Sequence, residues 1–396
     1  MAETIGLTGS VTNASSVASG GGGSSGAGGS ESALDGNAGT AVGGAALGGA
    51  AAGGATGGES LGGAAGMVAM AGAASSGAGA GPAVPACETN DIARCKGTSP
   101  ITCDFGGAPG DYLVTVELGG ADASKAYVEA ETYRRVLGTV ELAAGETRRF
   151  ALGVNVRQPE GQPIQDVPAG TPGLQLYLRG SAPRLKSICA KPLSAAPKLW
   201  IAGDSTVCDQ SDTEYAGWGQ HLPQFFSAPV AVANYADSGE SSSTVLASAK
   251  LWGAIKAGWK AGDWVLVQVG HNDKDVTTST FRSNMTAFVT QAKAANVHIV
   301  LCTPIARVGY SLEEEHQSSA GADIPQIIKD VAEAENVPLI DLTTLTWNWL
   351  KTVDYKQYFA LGTDHTHTNS AGAEVVAGFV RDAIRTQQLE LAKHLR

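Results

Sequence analysis

Hydrophobic and polar positions divide the chain into stretches with different grammars. Between Ile101 and Ile188, short alternating runs are broken by Gly, Pro and Asp. YLVTVEL (112–118), KAYVEAETY (125–133), RRFALGVNV (148–156) and LQLYLRG (174–180) follow the two-residue period of a half-buried strand. No window there carries a helical period, which predicts a small antiparallel β-sandwich. Prolines 183, 192 and 197 close it. From Lys198 the runs become uniformly apolar: KLWIAGDST (198–206), VAVANYA (230–236), WVLVQVGHND (264–273), VHIVLCTPI (297–305) and VPLIDL (337–342). Helical stretches separate them, including FRSNMTAFVTQAKAANV (281–297) and IPQIIKDVAEAENV (324–337). A final stretch, 369–396, opens on an Asn cap and carries an amphipathic stripe. Apolar strands alternating with helices predict an α/β fold whose parallel sheet is covered on both faces. In such sheets ligands bind at the carboxyl ends of the strands.

Composition accounts for what precedes the strands. Of the 52 glycines, 26 fall in residues 1–81, where Gly, Ala and Ser fill 58 positions and no aromatic or basic residue occurs. Such a stretch buries too little apolar surface to offset the entropy of ordering. The expected organisation is a disordered linker over 1–85, a small β-sandwich domain over 86–196 and an α/β domain over 197–396. The formal charge of −11 divides as −4 over 1–81, 0 over 82–196 and −7 over 197–396, with no basic cluster. Nucleic acid is therefore not an expected partner. Residues 62–80 are too rich in Gly and Ala to span a bilayer, so no transmembrane segment is expected. The first ten residues, MAETIGLTGS, lack the basic and apolar regions expected of a signal peptide. A linker of this type suggests a secreted protein whose leader has been removed, with surface tethering through the linker as a variant of that expectation.

Cysteine usage agrees with an oxidising compartment. Cys87, Cys95, Cys103 and Cys189 are candidates for two disulfides, and a Cys103–Cys189 bridge would join the ends of the β segment. Cys208 and Cys302 are expected as buried free thiols. No Cys-x2–4-Cys pair suggests zinc, and neither a metal nor an organic cofactor is expected.

Four polar blocks stand out against the apolar runs that they follow. Gly203-Asp204-Ser205-Thr206 ends the first run, and Asn234 to Ser241 ends the second. Gly270-His271-Asn272-Asp273 ends the third, and Asp364-His365-Thr366-His367-Thr368 precedes the last helix. Acyl transfer to a serine needs an imidazole to take its proton and a carboxylate to hold that imidazole in one tautomer. It also needs preorganised donors for the developing oxyanion. The blocks offer Ser205 as nucleophile, His367 as base and Asp364 as its orienter. The N–H groups of Ser205 and Gly239 and the amide of Asn272 are candidate oxyanion donors. Asp204 is expected to hold the nucleophile turn. Trp218 is a candidate platform for a sugar ring, with core packing as the alternative. His271 is a candidate wall of the acetyl or sugar pocket, with fixing of its turn as the alternative. The run Glu313-Glu314-Glu315 is expected to be solvated.

Together these blocks resemble those of the SGNH, or GDSL-type, hydrolases, here at Ser205, Gly239, Asn272 and His367. Gly-Asp-Ser-Thr, Trp218-Gly219-Gln220, Gly-His-Asn-Asp and Asp-x-x-His-Thr resemble most the rhamnogalacturonan acetylesterase-like branch, carbohydrate esterase family 12. The resemblance runs from about 103 to 396, including a Cys103–Gly107 stretch similar to the one that opens a β domain in bacterial members. Glu240 stands where many relatives carry arginine. The resemblance implies a three-layer α/β/α flavodoxin-like hydrolase domain and places the basic role on His367, leaving His365 aside. It also implies a serine esterase that removes O-acetyl groups from a plant cell-wall polysaccharide, rhamnogalacturonan (pectin) first, by a Ser-His-Asp triad. Acetylxylan or another short acyl ester is the alternative substrate, and a non-catalytic carbohydrate-binding protein is the alternative from another class. A monomer is expected.

Overall fold

Antiparallel strands of up to ten residues dominate the first half of the computed structural model, which describes residues 84–157, 172–194, 197–211 and 213–396. The expected linker lies outside the described residues except for its last two positions. The strands before Pro197 are β1 (Cys95–Lys96), β2 (Ile101–Gly106), β3 (Gly110–Gly119), β4 (Ser124–Ala130), β5 (Arg134–Leu142), β6 (Thr147–Val156), β7 (Leu174–Ala182) and β8 (Leu185–Pro192). Five of them form one antiparallel sheet in the order β1-β2-β7-β4-β5. It faces β3, β6 and β8 across a shared apolar layer. Val114, Val116 and Val154 meet Val128, Leu176 and Leu178 there, at the alternate positions that a pleated strand turns to one side. Disulfides join Cys87 to Cys189 and Cys95 to Cys103. This corrects the expected Cys103–Cys189 bridge, because β1 pairs with β2 and sets Cys95 directly opposite Cys103. Cys208 and Cys302 are free and buried.

The later strands are β9 (Lys198–Gly203), β10 (Ala231–Asn234), β11 (Trp264–Gln268), β12 (His298–Cys302) and β13 (Leu339–Ile340). They pair in parallel in the order β13-β12-β11-β9-β10. Counted from β9 this is the 2-1-3-4-5 order of a flavodoxin-like sheet, with its switch point beside β9. Helices cover both faces: α1 (Trp218–His221), α2 (Ser242–Ala247), α3 (Trp252–Gly258), α4 (Thr278–Ala294), α5 (Ile324–Ala334), α6 (Leu342–Leu350) and α7 (Ser370–Thr386). Alternation along β9 decides what packs where. Trp200 and Ala202 join Phe288 of α4 and Ile328 of α5, while Leu199 and Ile201 join Trp218 of α1 and Val380 of α7. None of the described helices is long and apolar enough to cross a membrane.

The two halves are hydrogen-bonded into one sheet. β10 pairs in parallel with β6, so the full order is β13-β12-β11-β9-β10-β6-β3-β8. The expected change at 196/197 is therefore a change from antiparallel to parallel pairing and of covering, within one sheet joined through β6 and β10. Gly153 allows the contact, since a Cβ there would stand 2.1 Å from the Val230 carbonyl oxygen. A buried ion pair reinforces it: Arg134 Nε lies 2.9 Å from Asp209 Oδ2, and Arg134 Nη1 donates to the Asn155 carbonyl. Leaving either partner of such a pair alone costs far more than replacing both.

Candidate active site

The first block turns sharply because β9 ends at a glycine packed against its neighbour strand. A Cβ on Gly203 would stand 2.7 Å from the Gln268 carbonyl oxygen. The turn is then held by Asp204, whose Oδ1 accepts from the Thr206 N–H at 3.0 Å and the Thr206 hydroxyl at 2.8 Å. Gln268 Nε2 donates to that hydroxyl, and its side-chain Oε1 accepts from the indole of Trp218. A chain of buried hydrogen bonds thus runs from the core to the residue after Ser205. Burial pushes the Asp204 carboxyl up to about 6, against the two bonds from Thr206 that lower it.

Ser205 itself is half-buried, and its hydroxyl lies 2.9 Å from His367 Nε2. His367 Nδ1 lies 3.0 Å from Asp364 Oδ2. The second carboxylate oxygen accepts from the N–H groups of Thr366 and His367, at 2.7 and 2.8 Å. Burial raises the Asp364 carboxyl, but these backbone donors and the imidazole outweigh it and hold the group below its usual range. A carboxylate that stays ionised fixes Nδ1 as the protonated nitrogen and leaves Nε2 to accept from a hydroxyl. The three residues expected from the sequence are therefore brought into one hydrogen-bonded line. His365 lies apart, exposed and 3.3 Å from the Tyr355 hydroxyl.

The candidate oxyanion donors come from the ends of three neighbouring strands: Ser205 after β9, Gly239 after β10 and Asn272 after β11. Gly239 has φ +82°, is exposed, and leaves open space where a Cβ would be. Asn272 Nδ2 donates to the Glu240 carbonyl at 3.0 Å, which ties the second block to the third. An amide nitrogen has two protons, so one remains for another acceptor. Asp273 completes the tie by accepting from the Ser242 N–H and hydroxyl, at 3.0 and 2.5 Å.

Three expectations are corrected. Trp218 offers no face to a sugar: it is fully buried in the layer between the sheet and α7. His271 is also buried and lines no open surface. Its ring meets the ring of His316 edge-on at 4.6 Å, and its carbonyl accepts from Arg307. Burial, with His316 and Arg307 close by, holds it neutral. The acidic run is not uniformly solvated either, because Glu315 is buried and accepts from the Arg307 N–H. One neighbour of the base had no sequence signal. Tyr215, an isolated aromatic outside any periodic run, sets its ring edge-on to His367 at 5.8 Å. Among the described residues no cluster of three or more His, Cys, Asp or Glu is arranged to hold a metal.

A parallel sheet with a serine at its switch point, hydrogen-bonded to a histidine, is a frame for hydrolysis. The profile of the GDSL-like lipase/acylhydrolase family matches residues 201–375. Rhamnogalacturonan acetylesterase RhgT of Bacillus subtilis (strain 168) is 31% identical over 219 residues, which are 50% of this chain and 94% of that protein. The probable rhamnogalacturonan acetylesterase YesY of the same organism is 30% identical over 215 residues, 50% of this chain and 98% of that protein. A crystal structure of the Bacillus subtilis protein YxiM aligns with a TM-score of 0.46 and 24% identity, over 74% of this chain and 81% of that one. The chain belongs to the GDSL-like lipase/acylhydrolase family and is a carboxylic ester hydrolase.

Proposed function

We propose that the protein is an extracellular serine esterase that removes O-acetyl groups from a plant cell-wall polysaccharide, the rhamnogalacturonan backbone of pectin first. The observation that carries this reading is the line Ser205–His367–Asp364 at the carboxyl edge of the sheet. The names of two relatives support the substrate. We take residues 197–396 as the catalytic part, and 86–196 as a β domain joined to it through the sheet.

In the first step the Ser205 hydroxyl attacks the acetyl carbonyl as its proton passes to His367 Nε2. The imidazolium is stabilised by Asp364, which remains ionised. Charge developing on the carbonyl oxygen is met by the N–H groups of Ser205 and Gly239 and the free proton of the Asn272 amide. His367 then protonates the departing sugar hydroxyl, leaving an acetyl-serine. Water enters, gives a proton to His367 and attacks the acetyl carbon. Collapse releases acetate and returns that proton to Ser205. Acetate release from acetylated rhamnogalacturonan, compared with acetylated xylan under the same conditions, tests the reading. Faster release from rhamnogalacturonan, lost in Ser205→Ala with thermal unfolding unchanged, is expected. No release from any acetylated glycan overturns it.

A further inference from the structure

A cavity of about 220 Å³ opens between the five-stranded sheet and the segment leading from the nucleophile turn into α1. Tyr127, Tyr133, Arg135 and Arg179 line one side, and Tyr215 and Gln220 line the other. Tyr215 is also the ring that meets the edge of His367, so the cavity begins one side chain away from the base.

The chemistry of its wall is specific. The Arg135 guanidinium lies 3.8 Å from the centre of the Tyr127 ring, and Arg179 lies 5.6 Å from that of Tyr133. Glu129 holds both arginines, accepting from Arg179 Nε at 2.7 Å and Arg135 Nη2 at 3.2 Å. Two guanidinium groups against one carboxylate leave a positive charge on the wall. His221, the remaining titratable group of basic type there, is kept neutral by burial, its pKa pushed down to about 3. The Arg179 side chain is 32% exposed. Polar groups also gather at this place without protein partners: Arg135 Nε, Gln220 Oε1 and His221 Nδ1 are buried and make no hydrogen bond. Tyrosine faces suit the C–H faces of a sugar ring, and a partly exposed guanidinium suits a carboxylate.

We propose that this cavity is a subsite for an acidic sugar unit, a hexuronate, with Arg179 pairing with its carboxylate while a neighbouring acetylated unit sits at Ser205. The inference rests on the polysaccharide-esterase reading for the identity of the substrate, and on the cavity wall for the charge of the ligand. It gives the five-stranded sheet a part in specificity, since Tyr127, Glu129 and Arg135 stand on its β4 and β5 strands and Arg179 on β7.

The test is calorimetric binding to the full chain carrying Ser205→Ala, which prevents turnover. The probes are an acetylated rhamnogalacturonan oligosaccharide and the same oligosaccharide with its carboxyl groups reduced to alcohols. Loss of one charge-assisted pair is expected to weaken binding about tenfold for the reduced sugar. Adding Arg179→Gln is expected to weaken binding of the native sugar by the same factor and to abolish the preference between the two. Equal affinity for both sugars, or no binding of either, overturns the inference without relying on a variant at Arg179. An unchanged preference in a folded Arg179→Gln protein overturns it as well. Acetate release by the wild type is measured separately: charge-dependent binding without release would sink the esterase reading and still support the subsite.

Discussion

The parallel strands β9–β11 and the antiparallel strands β3, β6 and β8 share one sheet but are built to different rules. β9, β10 and β11 have six, four and five residues and are buried along almost their whole length. β3, β6 and β8 have ten, ten and eight residues and mix buried positions with half-buried ones, and in β6 and β8 with exposed ones. Helices close both faces of the parallel part, and its polar blocks lie at the strand ends. Ser205, Gly239 and Asn272 follow those ends. The antiparallel part keeps one face for the second, five-stranded sheet, and it is that sheet whose side chains, standing along β4, β5 and β7, line the cavity. Short buried strands concentrate chemistry in turns, where backbone N–H groups are free to act. Long half-buried strands present broad walls instead.

The largest effect that can break this comparison is on turnover. Ser205→Ala is expected to lower kcat for acetate release by about 10⁴-fold or more, because the residues act as a unit. Asp364→Asn is expected to cost about 10⁴-fold, since the amide favours the wrong imidazole tautomer. Steady-state rates on an acetylated glycan check both, and a loss under tenfold in either would remove that residue from the line. The next effect concerns the continuity of the sheet. Leu152 is fully buried on β6, the strand that joins the two parts, and Leu152→Ala is expected to lower stability by about 2–5 kcal/mol. Calorimetry should show one transition moving as a whole. A new, earlier transition that spares esterase activity would show that the two parts unfold independently.

A smaller effect sharpens the account of the nucleophile turn. The Asp204 carboxyl has a pKa of about 6 in the fold against an ordinary 3.8, so the folded state holds its proton longer than the unfolded chain. Stability from this group is complete below pH 3.8 and is lost as the pH rises through 6. Asp204→Asn keeps a carbonyl to accept from Thr206 and removes that slope. Urea titrations of both proteins between pH 4 and 7 should show the variant gaining up to about 3 kcal/mol relative to the wild type. A constant difference across that range would contradict the buried-acid account.

Much of this was legible in the sequence, for physical reasons. Buried parallel strands read as continuous apolar runs, and a serine, a glycine, an asparagine and a histidine after such runs are polar residues without a packing reason. Asp364 and His367 were legible because three residues bring the carboxylate both to the imidazole and to its backbone N–H. What sequence could not supply was pairing between distant segments. Nothing in Ala231–Asn234 announces β6 as its partner, and the short β1 strand that sets Cys95 against Cys103 carries no period of its own. Trp218 was ambiguous because an indole suits a core as well as a sugar face, and only its complete burial between the sheet and α7 decides it. The cavity wall was hidden for the same reason: Arg179 on β7 and Arg135 on β5 are 44 positions apart and meet only through Glu129.

The central claim is that Ser205 is an activated nucleophile. Treating the protein with a fluorophosphonate, which bonds covalently only to activated serines, and mapping the adduct by mass spectrometry tests it most directly. The account predicts one adduct, on Ser205, formed at least about a hundredfold more slowly in His367→Ala. An adduct on another serine, or equal labelling of Ser205 with and without the imidazole, would contradict it.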